Sequence, residues 1–311
     1  MKDVYVRDVH DYFKYRIVCG NDEALNRKVT EGDINRPGLE LSGYFEMPNG
    51  RIVVIGEKET SYINTRMSEQ QQRSVFEFLT RDDIPMILIS RDLPCPRILY
   101  EIAYRKNFPI FSSYAQTNSL IVELLSYLEE KFAPVQSLHG VLLQVYGRGV
   151  LITGESGVGK SEIALELIKK GHILVADDRV DVFRAHNQIF GQPAEVLKDM
   201  LELRGVGLLN ISDMFGGMST TGKTDIACII NLSKLNPEDE YDRLGFNNEQ
   251  VETLFGIEIP KLNIPIGEGR SVAAMIEAAV SNIIMRQKGK DSAENFRHRL
   301  THFIEEQKGN D

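Results

Sequence analysis

No stretch of uncharged apolar residues in this 311-residue chain approaches the ~18 that a membrane-spanning helix needs. The opening, Met1-Lys2-Asp3-Val4-Tyr5-Val6-Arg7-Asp8, has none of the apolar core of a secretory signal, so the expectation is a soluble, cytoplasmic protein. Cysteine is scarce. Cys19, Cys95 and Cys228 are odd in number, far apart and form no Cys-x-x-Cys pair, which argues against a disulfide framework or a zinc site and fits a reducing compartment. Excess positive charge is missing too. The net charge of −9 gives no general field for phosphate backbones or anionic lipid, so neither nucleic acid nor membrane is an expected partner. Internal repeats and low-complexity tracts are absent. So are the catalytic-loop and D-F-G signatures of eukaryotic-type protein kinases, because Asp213-Met214-Phe215-Gly216 carries an extra residue. What is present is ordinary globular composition, 42% hydrophobic and 26% charged, with length enough for two domains that each bury a core.

Strand-like runs at Ile52–Gly56 and Met86–Ser90 alternate with helical spacing over Ser68–Leu79 and Arg97–Lys106. This predicts a small α/β unit. Leu120, Ile121, Leu124, Leu125 and Leu128 predict a helix over Thr117–Lys131, broken by Ala133-Pro134. The domain boundary is therefore placed at about residue 132, with an N-terminal α/β domain over 1–132 and a second domain over 133–311. That second domain opens with an expected hairpin, Val141–Tyr146 and Val150–Thr153 about a Gly147-Arg148-Gly149 turn. A helix over Ser161–Lys170 with Gly171 at its stop follows, then a buried strand Ile173–Ala176 and, near the end, a helix capped by Ser271.

Gly154-Glu155-Ser156-Gly157-Val158-Gly159-Lys160-Ser161 matches G-x-x-x-x-G-K-[ST] in full, between a predicted strand and a predicted helix. Glycines let successive N–H groups and the helix N-terminus face an anion. In this reading the solvent-facing Lys160 neutralises β/γ-phosphates and the Ser161 hydroxyl reaches Mg2+. Asp177 and Asp178 stand at the end of a buried strand, 17 and 18 residues after Lys160. A carboxylate there can hold Mg2+ or accept a proton from an attacking hydroxyl. Adjacent strand residues point to opposite faces, so both serve one site only if the strand has already ended. Glu202-Leu203-Arg204-Gly205-Val206-Gly207 and Asp242-Arg243-Leu244-Gly245 offer further carboxylates and guanidinium groups, which read either as phosphate contacts or as surface ion pairs. His139 reads either as a phosphate contact or as a packed core histidine.

Ser137-Leu138-His139-Gly140, GESGVGKSE at 154–162, LVADD at 174–178, ELRGVG at 202–207 and EYDRLG at 240–245 together resemble the HPr kinase/phosphorylase family in order and spacing. The resemblance extends through Asp33–Leu41 and Gly43-Tyr44-Phe45, so it spans nearly the whole chain. It implies an α/β architecture: a small N-terminal α/β domain followed by a P-loop kinase domain resembling phosphoenolpyruvate carboxykinase, assembled as a homohexamer. It also implies ATP-dependent phosphorylation of a regulatory serine on the phosphocarrier HPr, in carbon catabolite control. The reverse reaction would take inorganic phosphate and release pyrophosphate. By the same resemblance Gly154 to Ser161 hold ATP, and Ser161 and Glu202 hold Mg2+. His139, Lys160, Asp177, Asp178 and Arg243 would be catalytic, one aspartate being the base, with Asp178 favoured.

Two segments depart from the family pattern. Gly217-Met218-Ser219-Thr220-Thr221-Gly222-Lys223 follows Phe215-Gly216 where relatives commonly carry Ala-Val-Arg. Pro265-Ile266-Gly267-Glu268-Gly269-Arg270-Ser271 stands in place of a Pro-Val-Arg-Pro-Gly-Arg-Asn stretch or a Lys-Thr-Gly variant, exchanging a cation for glycine and a neutral residue for an acid. Phosphorolysis brings two anions together, so the expectation is a weaker reverse reaction. Two other readings compete: a P-loop kinase for a small-molecule hydroxyl, and a nucleotide-binding regulatory module without chemistry. The first would need its own lid or pocket signature, which is not found. Intact Lys160, Ser161, Asp177, Asp178, Glu202 and Arg243 weigh against the second.

Overall fold

The structure, a computed structural model, describes residues 3–45, 50–234, 250–267, 271–290, 294–299 and 301. The chain divides into two compact units, residues 1–134 and 135–311.

In the first unit, strands Ile34–Asn35, Ile52–Ile55, Ile87–Ile89 and Ile110–Ser112 run parallel, and Arg16–Cys19 pairs antiparallel at one edge. Strands Ile52–Ile55 and Ile87–Ile89 are apolar at every position because both faces are covered, as expected for parallel sheets. Val53 and Ile55 meet Ile63, Phe76 and Leu99 of helices Glu57–Arg66, Glu69–Leu79 and Arg97–Lys106. Ile52 and Val54, pointing the other way, meet Val9, Leu120 and Leu124 of helices Val6–Phe13 and Thr117–Phe132.

Among the described residues, the second unit is built on a nine-stranded mixed sheet. Strand Arg148–Gly154 lies between Val141–Val145, its antiparallel hairpin partner, and Thr224–Lys234, which is parallel to it. The hairpin turns at Tyr146-Gly147, one residue earlier than the glycine spacing suggested, because Arg148 and Gly149 are already paired. The long strand Thr224–Lys234 branches: its start pairs with Gln188–Pro193 and its end with Ile257–Ile266. On one face Val141, Leu143, Ile152 and Ile230 pack against helices Lys160–Lys169 and Val272–Gln287. On the other, Leu142 and Leu151 pack against Val180, Val182 and Ile189 of the hairpin Arg179–Ala185/Gln188–Pro193.

The helix that begins at Lys160 is anchored at its far end. Lys170 Nζ donates to Glu277 Oε2 at 2.6 Å, and His172 Nε2 lies 3.0 Å from Glu277 Oε1, tying this end to the helix Val272–Gln287. Lys170 holds the Glu277 carboxyl below the usual carboxylate range despite the opposing desolvation. Stability from a lowered carboxyl is present above its unfolded pKa, about 4.3, and is lost as pH falls through the lower folded value. Glu277→Gln is therefore expected to destabilise this unit by about 1 kcal/mol at pH 7, discounted for partial exposure. The gap to the parent should close below about pH 4, which thermal melts from pH 7 to pH 3 would read.

Candidate active site

The segment Gly154–Ser161 leaves the end of the interior strand Arg148–Gly154 and enters the helix Lys160–Lys169 as one tight loop. Gly154 has φ +143°, and a Cβ there would stand 2.5 Å from the Leu232 carbonyl oxygen; Gly157 and Gly159 also have positive φ. Lys160 is 7% exposed, not solvent-facing as its place in the motif suggested. Its Nζ donates to the carbonyls of Gly154 and Glu155, both at 3.0 Å. An ammonium folded back on its own loop secures the curl and holds positive charge beneath it.

Strand Ile173–Ala176 ends before the two aspartates, so the condition for both to serve one site is met. Asp177 turns inward, 3% exposed. It accepts from Ser161 Oγ at 3.0 Å to Oδ1 and 3.2 Å to Oδ2, and from the Glu202 backbone N–H at 2.8 Å. Burial pushes its carboxyl above the ordinary carboxylate value, against the lowering by those donors. Asp178 adopts φ +64°, a left-handed conformation that swings its carboxylate out of the strand direction and into solvent. Its carbonyl accepts the Gly140 N–H at 3.1 Å. His139 Nδ1 lies 2.9 Å from that carbonyl oxygen and 3.1 Å from Asp178 Oδ1. Both neighbours are acceptors, so Nδ1 carries a proton and donates to them. His139 is exposed at the end of strand Val135–His139, which overturns the packed-core reading.

Glu202 sits on the ribbon Met200–Leu203/Gly207–Asn210. Two residues on, Arg204 reaches over the loop, where a Cβ built on Gly157 would lie 3.3 Å from its Nη1. A cavity of about 240 Å3 joins these groups: His139, Ser156, Gly157, Gly159, Lys160, Ser161, Glu162, Asp177, Asp178, Glu202 and Arg204 all line it. Sequence spacing had left Arg204 undecided between ligand and ion pair, and had passed over Glu162, whose only signal is its place beside Ser161. Arg243 and Glu268 lie outside the described residues. The wall chemistry is two-sided, with helix N–H groups and cations at the loop and carboxylates at the strand end and ribbon. That is what a bound polyphosphate and a hydroxyl to be deprotonated require.

The fold and cavity define an α/β protein with a glycine loop facing paired aspartates. A family model described as HPr Serine kinase C-terminal domain matches residues 130–300, and one described as HPr Serine kinase N terminus matches residues 4–128. The chain is 40% identical over 309 residues to the HPr kinase/phosphorylase of Streptococcus equinus, covering 99% of each chain. It is 39% identical over 298 residues to that of Lactobacillus gasseri, covering 95% of this chain and 93% of the relative. A solved structure of the Hpr(Ser) kinase/phosphatase from Coxiella burnetii matches with a TM-score of 0.48 and 33% identity, over 52% of this chain and 98% of that one. The chain belongs to the HPr serine kinase family.

Because Lys160 donates to two carbonyls from a buried position, Lys160→Ala is expected to destabilise the second unit by about 1–3 kcal/mol. A differential melt against the parent, without nucleotide, checks this. An unchanged melt would return Lys160 to a purely electrostatic role.

Proposed function

We propose that this protein phosphorylates a serine of HPr with ATP, in the cytoplasm, and reverses the modification by phosphorolysis with inorganic phosphate, giving pyrophosphate. The observation that carries the reading is the single cavity in which the glycine loop, Lys160, the Asp177–Asp178 pair and His139 meet, in a chain whose full-length relatives are named HPr kinase/phosphorylase. The second unit is the catalytic P-loop domain in this proposal, related to phosphoenolpyruvate carboxykinase, and the subunits assemble as a hexamer.

The loop N–H groups and the start of helix Lys160–Lys169 take the β- and γ-phosphates of ATP, with Lys160 neutralising them. The donor set fits Mg2+. Ser161 Oγ and the carboxylates of Asp177 and Glu202 are hard oxygen ligands lining the cavity, and among the described residues no cationic side chain pairs with the buried Asp177 carboxyl. Ser161 and Glu202 would hold the ion, which when bound offsets charge on the transferring phosphoryl group. Asp178, exposed and next to His139, accepts the proton of the seryl hydroxyl as its oxygen bonds to the γ-phosphorus and the bond to the β-phosphate oxygen breaks, releasing ADP. His139 orients Asp178. In reverse, a phosphate oxygen attacks the phosphoserine phosphorus, Asp178 returns the proton to the seryl oxygen, and pyrophosphate leaves. Arg243 is proposed as a further catalytic cation. Gly267 and Glu268 weaken the reverse direction, where two anions must be held together.

Intact mass of HPr after incubation with the protein, Mg2+ and ATP should rise by one phosphoryl group. It should fall on adding phosphate, with pyrophosphate appearing in step. No gain in mass would refute the kinase reading, and loss of the group without pyrophosphate would refute phosphorolysis. Asp178→Asn should lower turnover by about 10²-fold or more with nucleotide affinity retained. Steady-state rates together with nucleotide titration check it, and a turnover within threefold of the parent would assign the base elsewhere.

A further inference from the structure

The cavity accounts for the phosphates and the acceptor but leaves the nucleoside half of ATP unplaced. Its direction follows from the reaction. In phosphoryl transfer the attacking and leaving oxygens stand roughly in line across phosphorus, so the nucleoside extends from the glycine loop on the side away from Asp178. Asp177 and Asp178 follow strand Ile173–Ala176, which lies on one side of Arg148–Gly154, beyond Val141–Val145. On the other side come Thr224–Lys234, then Ile257–Ile266 and its antiparallel partner Gln250–Leu254. There a row of polar side chains crosses four strands. Thr153 Oγ1 donates to Asn231 Oδ1 at 3.2 Å, Asn231 Nδ2 to Asn263 Oδ1 at 3.0 Å, and Asn263 Nδ2 to Gln250 Oε1 at 2.9 Å. Thr153, Asn231 and Asn263 are register partners and so share one face. Thr153 immediately precedes Gly154, the first residue of the loop.

Nothing in the sheet itself calls for amides at these positions. Asparagine is depleted in strands, and Asn231 interrupts a buried apolar run between Ile230 and Leu232. Asn231 is half-buried, and Asn263 and Gln250 are exposed. Within the row each asparagine uses one N–H and one carbonyl lone pair, so that among the described residues each keeps a second N–H and a second lone pair. A donor beside an acceptor on one amide complements the N6–H and N7 edge of adenine. Pro265, two residues past Asn263 on the same face and half-buried, adds an apolar surface for the ring. We propose that Asn231 and Asn263 read the base of the nucleotide donor, holding adenine on the side of the glycine loop opposite Asp178. This rests on the function proposed above and gives its donor site a specificity that the loop, which meets only phosphates, does not have.

The test uses the full chain with Asn263→Ala and, as an independent second variant, Asn231→Ala. Three ligands are titrated in the presence of Mg2+: ADP, purine riboside 5′-diphosphate, which lacks the 6-amino group, and pyrophosphate, which lacks the nucleoside. ADP affinity should fall roughly tenfold in each variant, and the parent's preference for ADP over the purine analogue should be lost. Pyrophosphate affinity should stay as in the parent, which also reports that the loop is intact. An ADP affinity unchanged in both variants overturns the proposal. So does a parent that binds ADP and the purine analogue equally. A joint loss of ADP and pyrophosphate affinity overturns it by making the row a brace for the loop. Failure of the functional reading shows separately, as HPr that gains no mass with the parent, because HPr takes no part in these titrations.

Discussion

A buried carboxylate holds the site together. Asp177 accepts from Ser161 at the start of the loop helix and from the Glu202 backbone N–H on the ribbon, while itself ending the strand Ile173–Ala176. Three chain segments separated by 16 and 25 positions thereby meet at one group. Burying a carboxylate is costly unless donors or a cation surround it. The donors here only partly offset the desolvation, since burial still pushes the carboxyl upward. In the proposed function, a cation held by Ser161 and Glu202 would offset part of that cost.

The neighbour of that carboxylate behaves differently for a backbone reason. Asp178 is the second residue past the strand and takes a left-handed conformation, so its side chain leaves the buried direction and meets His139 at the end of another strand. One aspartate is fixed by the interior, and the other is free to meet solvent and substrate. Two identical residues in sequence thus acquire separate surroundings from one change in φ.

This division was only partly legible in the residues. The glycine loop, the hairpin before it and the helix after it follow from local signals: the glycine spacing, a glycine-marked turn whose position was off by one residue, and a regular apolar stripe. The strand Ile173–Ala176 was expected with the bounds it has, and only its consequence, that both aspartates can serve one site, was stated as a condition. Lys160 was misread because a motif does not report where a long side chain folds, and its two carbonyl partners arise from the loop's own curvature. His139 was undecidable, since its exposure depends on strand Arg179–Ala185 pairing beside it, 40 residues on. The branching of Thr224–Lys234 and the exposed side of the 200–210 ribbon depend on long-range pairing, and neither leaves a mark in periodicity.

Hydrogen exchange over the 200–210 ribbon, with and without Asp177→Ala, tests the hub directly. The account predicts that protection of the Glu202 amide and its ribbon neighbours falls in the variant while the central strand Arg148–Gly154 keeps its protection. Ribbon protection that survives the loss of the carboxylate would contradict it, and would mean that Glu202 is held at the cavity by the ribbon alone.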